Sequence, residues 1–196
     1  MNRAFHTLLS VGFLAVTSVA MAEANLGTAA PEWKDLPGID GKKHSSSDLK
    51  DKKAVVVAFT CNHCPVAVDY EDRFIAFAKE YAPKGVEFVA INVSNLDDDK
   101  LPKMTERAKE KGFNFQYLYD ESQKVGKEFG AIATPHLFVI DGDGKVIFSG
   151  PFDDKMNAKK VTKHYVKDAV DAVIAGKSPE SEALKPHGCG IHYDEK

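Results

Sequence analysis

Between residues 54 and 81 a buried-strand pattern runs directly into a helical one, with two cysteines at the join. Ala54-Val55-Val56-Val57-Ala58-Phe59 is continuous, apolar and β-branched, as expected of a central strand covered on both faces. Cys61-Asn62-His63-Cys64-Pro65 follows at once. Val66, Tyr70, Phe74, Phe77, Ala78 and Tyr81 then recur at steps of three and four, so the motif opens an amphipathic helix. Pro65 suits a first helical turn, where its missing N–H has no intrahelical partner to lose. A strand that ends in C-x-x-C and feeds a helix leaves few folds open.

The rest of the chain alternates in the same way. Leu36 to Lys53 carries Pro37-Gly38, Asp40-Gly41 and Ser45-Ser46-Ser47, turn signals that bracket a short hairpin ahead of the first long strand. Val86 to Val93 is a second buried strand, and Phe115 to Tyr119 a shorter one. Asp97-Asp98-Asp99 reads as the cap of a helix through Leu101, Met104 and Ala108 that stops at Gly112, rather than as a cation site. Asp120 with Gln123 resembles a capping box for a helix ending near Gly130. Leu137 to Ile140 and Val146 to Ser149 flank Asp141-Gly142-Asp143-Gly144 as a hairpin. Val161, Tyr165, Ala169, Val170, Val173 and Ile174 line one face of a last helix, stopped by Gly176. The order is that of an α/β sandwich.

The first segment reads as an address. Arg3, the apolar run Leu8 to Val19 and Ala20-Met21-Ala22 have the layout of a secretory signal peptide cleaved near Ala22. The expected organisation is therefore a signal peptide at 1–22, a flexible leader at 23–33, one domain at 34–176 and a polar C-terminal tail at 177–196. Cleavage would leave a periplasmic or secreted protein without stable membrane association; the alternative is an uncleaved N-terminal anchor. A net charge of −3 argues against a nucleic-acid binder, whose affinity rests on clustered Lys and Arg. Three cysteines are too few for a disulfide scaffold.

The chemistry is expected at Cys61 and Cys64. At the start of a helix, unpaired N–H groups and the positive dipole end favour a thiolate. A free thiol titrates near about 8.5, and cysteines in such settings fall to roughly 3.5–7.5. Cys61 is the expected nucleophile and Cys64 the partner that resolves a mixed disulfide. His63 could supply an imidazolium or a hydrogen-bond donor. An alternative is half of a zinc or copper site, completed by His187, Cys189 and His192 in the tail. A third is a purely structural disulfide, which would close too short a loop to stabilise the fold much. Cys189 itself could be a resolving or intermolecular cysteine, a metal ligand or an ordinary tail thiol. Ala133-Thr134-Pro135-His136 leads into a strand, a natural place for a cis X-Pro bond. His136 could approach the dithiol or simply pack; His44 and His164 read as solvated.

Together these residues resemble the thioredoxin superfamily. Leu36-Pro37-Gly38-Ile39-Asp40-Gly41-Lys42 and Ser47-Asp48-Leu49-Lys50 are similar to the entry segment of its redoxin branch, which includes alkyl-hydroperoxide-reductase-like proteins. Thr60-Cys61-Asn62-His63-Cys64-Pro65, Leu118-Tyr119-Asp120-Glu121 and Gly188-Cys189-Gly190-Ile191 resemble a peroxiredoxin-like subgroup, and the likeness spans about residues 34–192. The resemblance implies a thioredoxin-like fold: a central mixed β-sheet flanked by helices, with an N-terminal hairpin extension. It implies a thiol–disulfide oxidoreductase acting on protein dithiols or disulfides with a redox partner and no cofactor. Cys61 matches the attacking cysteine, Cys64 the resolving one, Pro135 the cis-proline and Thr134 the residue whose backbone pairs with a bound polypeptide. A histidine at position 63 points to a moderately oxidising or isomerising dithiol. Three departures stand out: Thr60 replaces the usual tryptophan, Ala54 to Ala58 lacks a buried acid, and Val57 and Cys61 replace the proline and threonine that bind peroxide in peroxiredoxins. A thiol peroxidase is accordingly the second functional expectation.

Overall fold

The computed structural model describes residues 26–177 and 182–195; the expected signal peptide lies outside them. The chain first forms the short antiparallel pair β1 (Leu36–Pro37) and β2 (Lys43–His44), the hairpin extension. It continues through β3 (Ala54–Thr60), α1 (Pro65–Tyr81), β4 (Val86–Asn92), α2 (Leu101–Lys111), β5 (Gln116–Tyr119) and α3 (Lys124–Phe129). Then come β6 (Ala133–Thr134), β7 (His136–Asp141), β8 (Val146–Gly150), α4 (Tyr165–Ile174), β9 (Glu182–Ala183) and β10 (Cys189–Gly190). The central sheet has the order β5-β4-β3-β7-β8-β9. It is mixed: β3, β4 and β5 run parallel, whereas β7 runs antiparallel to both β3 and β8.

The apolar run of β3 is explained by burial on both faces. Ala54, Val56 and Ala58 pack with Tyr70, Phe74 and Phe77 of α1 and with Val166 and Val170 of α4. The alternate residues Val55, Val57 and Phe59 pack on the other side with Trp33, Leu49, Phe129 and Phe138. Period-2 alternation thus sorts one strand into two cores. Arg107 of α2 grips Glu71 of α1 through two hydrogen bonds of 2.9 and 2.8 Å, tying the two helices together beside the sheet. Among the described residues no helix is long and apolar enough to cross a membrane.

Several local expectations change. Lys100, not an aspartate, caps α2, and Asp97–Asp99 forms a short 3-10 turn of its own. Gln123 stands at the start of α3 with φ 57° and no capping bond, while Asp120 Oδ2 accepts the Gly126 N–H instead. The last helix starts at Tyr165; Val161 precedes it, closing a turn over Ala158–Lys160. The tail also returns to the protein: β9 pairs parallel with β8, and β10 pairs antiparallel with β6.

Candidate active site

Strand register assembles the site. Parallel pairing of β3 with β4 sets Thr60 beside Asn92, so the loops that follow both strands emerge together. Such carboxyl-end crevices are where open α/β sheets hold their ligands. Antiparallel pairing of β3 with β7 runs from Ala54↔Asp141 to Phe59↔His136, which brings Cys61 alongside Thr134. The Thr134–Pro135 bond is cis, and Cys61 Sγ lies 3.5 Å from Thr134 Oγ1.

Asp99, which sequence reasoning took for part of a helix cap, holds the C-x-x-C loop in place. Its Oδ1 accepts the backbone N–H groups of Asn62 at 2.6 Å and His63 at 3.1 Å, and its Oδ2 pairs with His63 Nδ1. Asn92 Nδ2 fixes Asp99 in turn by donating to its carbonyl at 2.7 Å. Asp99 is fully buried, while the His63 side chain stays partly exposed at 42%. Asn62 is braced by Tyr117, whose hydroxyl donates to Asn62 Oδ1 at 2.8 Å. β3 itself carries no acid, and the buried acid that contacts the C-x-x-C turn comes from the loop after β4. The parallel pairing of β3 and β4 was the signal that could have found it, because it puts that loop against the C-x-x-C turn.

A sulfur, an imidazole nitrogen and a carboxylate oxygen of Cys61, His63 and Asp99 lie within 4.8 Å of one another. The trio is a conceivable metal donor set. Both oxygens of Asp99, however, already serve the loop and the imidazole, which makes it an orienting acid for His63. The expected set, the C-x-x-C sulfurs completed by His187, Cys189 and His192, is not assembled in this structure, because Cys64 and Cys189 are committed to each other.

That commitment is a disulfide. Cys64 is joined to Cys189 with a Cα–Cα distance of 6.2 Å, and Cys61 is the free thiol. In this structure Cys64 is therefore bonded to Cys189 rather than to Cys61, and of the alternatives for Cys189 the loose tail thiol is set aside. Cys64 Sγ sits 3.1 Å from the Thr134 carbonyl oxygen. As a disulfide sulfur it has no proton to donate, so this contact becomes a hydrogen bond only on reduction.

The protonation expectation also changes. Burial pushes the Cys61 thiol up, and the charge of Asp99 adds to this, against the Thr134 hydroxyl and the backbone N–H groups of Cys64 and His63, which pull it down. Cys61 is only 4% exposed. Cys64, not Cys61, is the N-cap of α1, so the first sulfur sits just ahead of the helix, where the N–H groups of Cys64 and His63 favour the thiolate but burial outweighs them. Cys61, His63 and Thr134 face a cavity of about 340 Å³ whose other wall includes Gly190, Ile191 and His192 of the tail. His136 stays outside the site: its Nε2 meets Ser149 Oγ at 3.0 Å, its Nδ1 accepts the Ile132 N–H, and burial lowers it to about 4. His44 is engaged by Asp40 at 3.0 Å in the hairpin extension.

The Redoxin family model matches residues 25–167. This chain belongs to the Redoxin family. An uncharacterized conserved protein of Geobacillus kaustophilus has a similar crystal structure, with a TM-score of 0.82 and 34% identity over 88% of this chain and 94% of that one. The thiol-disulfide oxidoreductase ResA of Bacillus thuringiensis is 29% identical over 125 residues, 62% of this redoxin and 67% of the relative. The thiol:disulfide interchange protein HelX of Rhodobacter capsulatus is 26% identical over 146 residues, 72% and 78% of the two chains. The expected thioredoxin-like fold and the enzyme class, a thioredoxin-like thiol–disulfide oxidoreductase, both agree with these matches.

Proposed function

We propose that this redoxin exchanges disulfides with cysteines of other proteins outside the cytoplasm, with Cys61 as attacking sulfur and Cys64 as resolving one. The observation that carries the reading is the free Cys61 thiol beside Thr134 and the cis-Pro135, grouped with His63 and Asp99. The names of the relatives, thiol-disulfide oxidoreductase and thiol:disulfide interchange protein, support it. The extracytoplasmic setting rests on the Arg3, Leu8–Val19 and Ala20-Met21-Ala22 pattern, and disulfide chemistry persists best in such compartments.

His63, oriented by Asp99, takes the Cys61 proton. The thiolate attacks one sulfur of the substrate disulfide; that S–S bond breaks, and the other substrate sulfur leaves as a thiolate and is protonated. Cys64, in its reduced form, then attacks Cys61 Sγ and releases the second substrate thiol. Two electrons have passed from the Cys61/Cys64 pair to the substrate, and a dithiol partner restores them. Run backwards, the same steps oxidise a substrate. Thr134 and Pro135 border the sulfur and present backbone to the incoming chain. Steady-state reduction of a protein disulfide such as that of insulin tests the reading. Cys61→Ser is expected to abolish turnover, and a fully active Cys61→Ser protein would overturn it.

A further inference from the structure

The C-terminal segment is fastened over the site by a short strand ladder, side-chain hydrogen bonds and a close backbone approach. Cys189 pairs with Thr134 and Gly190 with Ala133, so β10 occupies the free edge of β6. Ile191 N–H donates to Ile132 O at 3.1 Å, continuing the ladder. Gln123 donates to His192 O at 3.1 Å and accepts from Asp194 N–H at 2.7 Å. The Tyr193 hydroxyl donates to Ala131 O at 2.7 Å, and a Cβ at Gly126 would stand 2.8 Å from that hydroxyl. Gly188 is the tightest point: a Cβ there would lie 2.2 Å from Thr134 O. The approach of the tail to the edge therefore demands glycine, independently of any sulfur.

We propose that Cys189 is a third redox-active cysteine, and that the disulfide migrates between Cys64–Cys189 and Cys61–Cys64 as the tail leaves and regains the β6 edge. The inference rests on the reading above, in which Cys61 and Cys64 are the exchanging pair. All three cysteines lie in one small apolar cluster, Cys61, Cys64 and Ala67 with Cys189 packed against it. Cys61 gives up its proton and attacks Cys64 Sγ; the Cys64–Cys189 bond breaks as the Cys61–Cys64 bond forms. Cys189 departs as a thiolate and takes up a proton. One disulfide and one thiol exist before and after, so no outside oxidant or reductant is needed. In the closed form Cys61 is shielded, and the backbone edge that could pair with an extended polypeptide is filled by the tail. In the open form the edge is free and the Cys61–Cys64 disulfide can accept electrons from a substrate or partner dithiol, which leaves Cys61 as the attacking thiol of the next exchange, so substrate access follows the departure of Cys189.

Disulfide mapping by mass spectrometry tests this on the full-length oxidised protein, equilibrated at pH 8 and quenched in acid. The wild type is expected to hold mainly Cys64–Cys189. Gly188→Ala, which keeps every sulfur, is expected to shift the ratio at least tenfold toward Cys61–Cys64. Cys189→Ser is expected to oxidise to Cys61–Cys64. Iodoacetamide is expected to modify Cys61 at least tenfold more slowly in the oxidised wild type than in Cys64→Ser. An oxidised wild type without Cys64–Cys189, a ratio unmoved by Gly188→Ala, a Cys189→Ser protein that forms no disulfide, or equal alkylation rates would each overturn the proposal. Failure of the underlying reading shows separately, as full turnover by Cys61→Ser, since mapping and alkylation require no substrate.

Discussion

Asp99 acts on Cys61 in two opposed ways, and a single substitution separates them. Its charge holds the Cys61 thiol up, while its carboxylate orients His63 and accepts two backbone N–H groups of the C-x-x-C loop. Asp99→Asn removes the charge and weakens the hold on His63. The pH midpoint for Cys61 alkylation is therefore expected to fall, because a nearby negative charge that disfavours the thiolate has gone. Exchange with a protein disulfide is nonetheless expected to drop about tenfold or more, since proton transfer by a positioned side chain is commonly worth at least that. Rates measured across pH 6 to 10 on the same sample check both directions. A faster Asp99→Asn enzyme would reduce the role of His63 to that of a bystander. At this scale the sequence was legible for Cys61, Thr134 and Pro135, whose neighbourhood follows from two strand patterns. It was not legible for Asp99, because a run of acids before a helix has a local explanation that competes with its distant partner.

Among the elements, the long ones were readable and the short ones were not. β3, β4, α1 and α2 bury apolar residues at regular intervals, and that periodicity is written in the chain. The docking of β10 on β6 leaves no such trace. It is built from backbone hydrogen bonds, a glycine with no room for a side chain and the buried amide of Gln123, none of which alters hydrophobic periodicity. Gln123 was read as part of a capping box; it stands at φ 57° and reaches Val93 O at 2.8 Å as well as the tail. Gln123→Ala removes both of the bonds it makes to the tail. Amide hydrogen exchange in residues 189–194 is expected to accelerate, with stability lowered by roughly 1–3 kcal/mol for the polar groups left unpaired. Unchanged protection of that segment would mean that the tail is held by the disulfide alone.

On the scale of the whole molecule, the choice of disulfide fixes how strongly oxidation ties the chain together. Cys64 and Cys189 are 125 positions apart, so their bond closes most of the domain into one loop. Loop-closure entropy gives about 5 kcal/mol for such a loop and about 2 kcal/mol for one of four residues. Oxidised Cys189→Ser, left with only the short Cys61–Cys64 loop, is expected to be roughly 3 kcal/mol less stable than the oxidised wild type in urea. Equal stabilities would place the wild-type disulfide within the C-x-x-C turn. The same loop connects the redoxin core to a tail lying beyond the residues matched by the family model, which end at 167.

The central claim is that Cys61 is the sulfur that attacks a substrate disulfide, and covalent trapping tests it most directly. The double variant Cys64→Ser/Cys189→Ser has no sulfur left to resolve an adduct. Mixed with a disulfide-bonded protein substrate and analysed by non-reducing electrophoresis and mass spectrometry, it is expected to accumulate a mixed disulfide at Cys61 that a reductant releases. A double variant that forms no adduct while the wild type turns the same substrate over would contradict the account.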